Sequence, residues 1–160
     1  MNVFLPYPDF QKSAQCLDPQ RLGNQLNECR VIISSLEKRH VGWTHHPAVV
    51  MFDGFTDALK AFSNEVVDEI NRRTGRRFFP KFSLPESFRL PPWVGHPDFH
   101  SVMRGNLLRK NFPWYSRYQW TDPTALGYLW PVNNEDGTFF FRDLRRVMDV
   151  ETYLKNMGLK

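Results

Sequence analysis

Apolar residues recur at helical spacing through the first half of the chain and at strand-like spacing near its end. Leu22, Leu26, Cys29, Ile33 and Leu36 fall three or four residues apart, which puts one apolar stripe on a helix. Asp18-Pro19 starts that helix, with a carboxylate as N-cap and proline at the first helical position. It runs to about Arg39, and Gly42 ends it. A second stripe of Phe52, Phe55, Leu59, Phe62, Val66 and Ile70 follows the start His46-Pro47 and stops near Gly75. This predicts one long amphipathic helix with Gly54 inside it. Ahead of both, Met1 to Pro8 is apolar and extended, because Pro6 and Pro8 exclude a helix. A short helix follows from Asp9.

Between residues 76 and 95, Pro80, Pro85, Pro91 and Pro92 predict a loop. His96-Pro97 opens a basic third helix through Leu107, Leu108 and Lys110, which Pro113 breaks before Trp114 to Tyr118. Tyr128 to Val132 and Thr138 to Arg142 flank Asn133-Asn134-Glu135-Asp136-Gly137, the pattern of a β-hairpin. Residues 149–157 predict a last short helix. The expected fold is all-α: a compact bundle of three main helices with an extended N-terminal segment, a small C-terminal β-hairpin and a short helix. Residues 1–120 form the helical part and residues 121–160 an extension packed on it, one structural domain overall.

Composition narrows the function classes. The 160 residues are 41% hydrophobic and 24% charged, which excludes a mostly disordered chain. No apolar stretch approaches the roughly 20 residues of a membrane span. The two cysteines, Cys16 and Cys29, form no zinc or disulfide spacing, and a reduced, cytoplasmic protein is expected. Net charge is +4, and its position matters more than its size. Residues 1–80 carry +1, residues 81–120 carry +4 and residues 121–160 carry −1. The positive third also holds Trp93, Phe99, Phe112, Trp114, Tyr115, Tyr118 and Trp120. Cations interleaved with aromatics suit phosphate neutralisation and base stacking, and equally suit a solvated helix face with its aromatics turned inward. Arg72, Arg73, Arg76 and Arg77 end a helix, where basic residues answer the helix dipole.

Several kinds of chemistry lack their residues. There is no phosphate-binding Gly-x-x-x-x-Gly-Lys-Ser/Thr loop, no Gly-x-Ser-x-Gly elbow and no His-Glu-x-x-His pair. His96 and His100 are four apart, yet no third ligand is well placed, so helix-start and packing roles are the simpler reading and no metal is expected. The most informative polar set is Arg21, Gln25 and Glu28, at i, i+4 and i+7 along one edge of the apolar stripe, with Asn24 beside it. A carboxylate at such a border is a candidate acid or base. On pattern alone, a surface ladder of side chains is the simpler reading.

The run Arg21-Leu22-Gly23-Asn24-Gln25-Leu26-Asn27-Glu28 lies on the first long helix. His45-His46-Pro47 opens the second, and a basic third helix runs into Pro113-Trp114-Tyr115. In that order, over about residues 1–120, they resemble the pyrimidine-dimer DNA glycosylase family of the endonuclease V type. The opening Phe4-Leu5-Pro6-Tyr7-Pro8-Asp9 is similar to a bacterial branch of it.

The resemblance implies a compact helical DNA-repair enzyme that excises a damaged or modified pyrimidine, with strand cleavage as an optional second step. It implies that the terminal α-amine attacks the sugar C1′, expels the base and forms an imine. Glu28 stands at the place of the family's essential glutamate. Arg21 stands where the family has a helping histidine, and Asn27 where it has a basic residue. The bulk of Asn2 predicts that Met1 is retained, so that the amine belongs to Met1. Asn24, Gln25, His45 and His46 would face DNA. Arg104, Arg109, Lys110 and Arg117 would hold phosphates, and Trp114 or Tyr115 would stack or wedge. A monomer acting on double-stranded DNA without metal or cofactor is expected. The alternatives are a non-catalytic nucleic-acid-binding module of the same fold and a helical protein-interaction domain.

Overall fold

Asp18 caps the helix that carries most of the candidate site. Its carboxylate accepts from the Arg21 backbone N–H at 3.1 Å, and α2 (Pro19–Glu37) begins at the following proline. The computed structural model describes residues 1–38, 42–77, 79–142, 155 and 158. Before α2, Asp9 caps α1 (Phe10–Cys16) in the same way. After it come α3 (Pro47–Val50), α4 (Thr56–Thr74), α5 (Pro97–Lys110) and α6 (Phe112–Tyr115), with a 3-10 turn at Ser116–Tyr118. β1 (Pro131–Asn133) and β2 (Phe139–Phe141) pair antiparallel, Val132 opposite Phe140. The molecule is thus mostly helical with a small C-terminal hairpin, as the sequence predicts. The expected helix over residues 149–157 lies outside the described residues, apart from Lys155.

One expected element divides. The helix read from Pro47 to Gly75 is two helices, α3 and α4, with a turn between them. Gly54 takes φ +81°, a left-handed conformation that no helix continues through, and the Phe55 N–H bonds back to the Phe52 carbonyl at 2.8 Å. The apolar stripe runs across the break because both sides pack on one core.

α2 and α1 both pack against α4, and Leu22, Leu26, Cys29, Ile32 and Ile33 of α2 are buried there with Leu59, Phe62 and Val66 of α4. Trp93 is fully buried at the end of the proline-rich loop and donates its indole N–H to the Met51 carbonyl at 2.9 Å. Leu129 and Phe141 from the C-terminal region join the same core. That region passes so close to α5 that a Cβ on Gly105 would sit 1.9 Å from the Pro123 carbonyl oxygen, so only glycine fits there. Arg104 clamps it further, donating two hydrogen bonds of 2.9 Å to Asp122. No helix among the described residues is long and apolar enough to cross a membrane.

The N-terminal segment is threaded into the core. Val3, Phe4 and Leu5 are buried, and backbone groups along this segment find side-chain partners on α1, α2 and α5. Gln25 of α2 accepts from the Phe4 N–H at 2.8 Å and donates to the Asn2 carbonyl at 3.1 Å. Its carboxamide thereby replaces the peptide group of a neighbouring strand. The Leu5 carbonyl meets His100 Nδ1 at 2.8 Å, and the Pro6 carbonyl accepts from Arg104 at 2.9 Å. The Tyr7 N–H is held by Ser13 at 3.1 Å.

Candidate active site

Threading the N-terminal segment beside α2 places the nitrogen of residue 2 against a carboxylate. The Asn2 N–H donates to Glu28 Oε2 at 2.9 Å. Glu28 is half-buried, and this is a bond that the sequence separation of 26 residues does not reveal. Met1, Asn2, Phe4, Gln20, Arg21, Asn24, Glu28, Lys110 and Tyr128 line a cavity of about 260 Å³, open to solvent, around this bond. The segment, α2, the end of α5 and the C-terminal region each contribute a wall.

Two cations face this cavity. Arg21 is anchored on one side by Asp18, to which it donates at 2.9 Å, and lines the cavity beyond it. Lys110, exposed at the end of α5, also lines it. Asn24 is exposed on the lining. Gln25 is buried, and its role is to hold the N-terminal segment rather than to face the cavity.

His46 and His45 part company. His46 caps α3, its Nδ1 accepting from the Ala48 N–H at 3.1 Å, so the neutral ring carries its proton on Nε2. Burial lowers its pKa, the charge of the terminal ammonium lowers it further, and Glu28 opposes both. The ring therefore lies within electrostatic reach of the site. Its edges meet Trp43 and Trp130 in T-shaped contacts, and Trp130 in turn packs on Tyr128 of the cavity wall. His45 is exposed and lines a separate hollow with Thr44, Asp53 and Glu135.

The residues expected to hold phosphates or stack on bases also separate. Arg104 is spent on Asp122 and Pro6 inside the fold. Arg109 is exposed and donates to the Thr124 carbonyl at 3.1 Å. Arg117 is exposed and lies 3.9 Å above the Trp114 ring, while Arg73 lies 5.6 Å from the same ring. Trp114 donates its indole N–H to the Cys16 carbonyl at 2.9 Å, so it is braced from several directions. Tyr115 is fully buried; its hydroxyl donates to Asp18 at 2.7 Å and accepts the Asp18 N–H at 3.0 Å. Its ring offers no surface to a base. Burial raises the Tyr115 pKa, and the adjoining Asp18 carboxylate raises it further. Burial opposes ionisation of Asp18, but hydrogen bonds from Tyr115 and Arg21 outweigh it and hold the carboxyl below its ordinary range.

Neither thiol is a nucleophile: burial pushes Cys16 and Cys29 up to about 12. His100 is occupied at both nitrogens. It accepts the Gly95 N–H at Nε2 (2.9 Å), and its Nδ1 proton goes to Leu5. Burial lowers its pKa to about 4. Among the described residues no three His, Cys, Asp or Glu side chains converge as metal ligands would.

Sequence reading missed Phe4, Gln20 and Tyr128 in the cavity wall. Tyr128 lies outside the stretch that carries the resemblance, and only the folding of the C-terminal region over α5 brings it there. Residues 1–80, which include the Asn2–Glu28 pair, match the family model described as pyrimidine dimer DNA glycosylase. No curated protein and no solved structure matches the chain.

Proposed function

From a chain that belongs to the pyrimidine dimer DNA glycosylase family, we propose an enzyme that excises a damaged or modified pyrimidine from duplex DNA through an imine at C1′, with Glu28 as its acid–base residue. The observation that carries this reading is the 2.9 Å bond between the nitrogen of residue 2 and Glu28 Oε2, at an open cavity with cations on its walls.

A primary amine in its neutral form can add to C1′ and go on to an imine, as a hydroxyl cannot. Its nitrogen attacks C1′ of the extruded nucleotide, the glycosidic bond breaks, and the base leaves with the bonding pair and takes up a proton. The amine loses its protons as the sugar ring opens to the imine, and Glu28 relays them. The carboxylate also steadies the positive charge that grows on the sugar. As an optional second step, a base, Glu28, takes a C2′ proton of the imine, the freed pair forms the C2′–C3′ double bond, and the C3′–O bond breaks with the phosphate as leaving group, which cleaves the strand. With Met1 in place the amine stands one residue beyond the Glu28 bond. With Met1 removed, the Asn2 nitrogen is itself the amine, already within hydrogen-bond distance of the carboxylate. Arg21 and Lys110 neutralise phosphates on either side. The enzyme works as a monomer in the cytoplasm, on double-stranded DNA and without a cofactor.

Borohydride reduction on a duplex carrying one cyclobutane thymine dimer tests the reading. The expected result is a covalent protein–DNA adduct, mapped by mass spectrometry to the N-terminal residue. Salt-dependent binding with no adduct and complete base content, on this and on modified-pyrimidine duplexes, would overturn it and leave a non-catalytic DNA binder.

A further inference from the structure

Phe112 is the most exposed large apolar side chain among the described residues, at 64%. Single exposed apolar side chains are common on protein surfaces, so the surroundings of this ring decide what it can do. It opens α6, directly after the bend at Asn111, whose side chain caps the short helix. Lys110, two residues before it, lines the candidate cavity. Arg109, Lys110 and Arg117 are exposed around it, and among the described residues none of the three pairs with a carboxylate. No Asp or Glu occurs between Asp98 and Asp122. The backing is rigid: Tyr115 bolts α6 to Asp18 at the start of α2, and Trp114 ties it to Cys16. Tyr115 is fully buried and Trp114, Tyr118 and Trp120 are half-buried against the core, so Phe112 is the most exposed aromatic of this stretch.

We propose that Phe112 is a wedge that enters the base stack of DNA beside the candidate active site and fills the space vacated by an extruded nucleotide. A cationic rim with an apolar projection fits a duplex, whose phosphates meet the rim and whose stacked bases meet the ring. The benefit lies in extrusion. Unstacking a base costs free energy, and a ring inserted into the gap recovers part of that stacking. The inference rests on the glycosylase reading above for the position of the extruded nucleotide, but it is measurable without chemistry.

The experiment uses the full chain and a duplex with one cyclobutane thymine dimer, carrying 2-aminopurine at successive positions around it. Binding of the unaltered protein is expected to raise 2-aminopurine fluorescence at one or two positions. Phe112→Ala is expected to bind nearly as well but without that rise, and Phe112→Leu to restore part of it. Excision by Phe112→Ala is expected to fall about 10- to 100-fold on the fully paired duplex and by no more than about threefold when the nucleotides around the dimer are held unpaired in a bubble. The side chain is mostly in solvent, so the variant is expected to fold normally.

Equal fluorescence in Phe112→Ala overturns the wedge, as does an equal loss on paired and bubble substrates. A change in self-association with unaltered DNA readouts also overturns it, showing a protein contact instead. A Phe112-dependent fluorescence rise with no excision by any form supports the wedge while removing the proposed chemistry. Normal excision by Phe112→Ala on the paired duplex removes the wedge and leaves the chemistry standing.

Discussion

Two carboxylates on α2 have opposite surroundings. Asp18, at the start of the helix, is buried and satisfied by Tyr115, by Arg21 and by its own helix's backbone. Glu28, nearly three turns further on, is half-buried and accepts one backbone N–H at the wall of an open cavity. The first is closed: every bond it makes holds α2, α6 and the Arg21 side chain in place. The second keeps acceptor capacity free for a ligand. Arg21 links them, tied to Asp18 and facing the cavity of Glu28. The difference teaches that a charged group on one helix serves architecture or chemistry according to how many of its lone pairs the fold has already used.

The strongest way to break this contrast is Glu28→Gln. The amide still accepts the Asn2 N–H, so thermal stability is expected to change little. Base excision is expected to fall by about 100-fold or more, read in a single-turnover assay on lesion-bearing duplex. Normal turnover would remove Glu28 from the chemistry.

Asp18→Ala reverses the pattern. It removes an N-cap and leaves the Tyr115 hydroxyl and the Arg21 guanidinium without their acceptor, at an expected cost of about 3 kcal/mol. For a chain of this size that lowers the melting temperature by about 6–12 °C. Activity per folded molecule, measured below the transition, is expected to stay within a few-fold. A loss as large as that of Glu28→Gln would place Asp18 in the chemistry instead.

Acid sharpens the contrast. His100 is held neutral at about 4, below its ordinary 6.5. The unfolded chain takes up the proton first, so stability is full above pH 6.5 and is lost as pH falls towards about 4. The loss expected over that window is about 2–3 kcal/mol, followed by thermal melts, and it starts where the Leu5 carbonyl is held. Asp18 loses its contribution only lower, as pH falls through the ordinary carboxylate value of 3.8. Simultaneous loss of both regions near pH 6 would mean that they melt as one. The smallest effect is that of Lys110→Ala, which is expected to weaken DNA binding a few-fold and to reduce the salt slope by about 1.

The sequence carried the fold wherever local chemistry decides it. Asp9, Asp18-Pro19 and His46-Pro47 mark helix starts within a residue, because capping is a short-range bond, and His96-Pro97 marks one through the proline at the first helical position, without a side-chain cap bond. The division at Gly54 was hidden because Phe52 and Phe55 keep helical spacing across it; the stripe records which side faces the core, not whether the backbone is continuous. In the candidate site, Arg21, Asn24 and Glu28 share the edge of one stripe, a pattern that a surface ladder also gives, and only the resemblance singles out Glu28. Tyr128 and the engagement of Arg104 by Asp122 were not, since both depend on how residues 121–130 return over Gly105. Composition does not say which of several neighbouring aromatics is turned inward, so the sequence alone does not distinguish Phe112 from Trp114 and Tyr115.

The sulfur atoms offer an experimental opening. Cys16 and Cys29 are buried and hold their protons to about 12, so the folded chain presents a surface silent to maleimides and disulfide reagents. A single thiol introduced at a chosen surface position will be the sole reactive one. Dyes, spin labels or tethers to thiol-bearing oligonucleotides can then be attached to the native protein without first deleting its own cysteines.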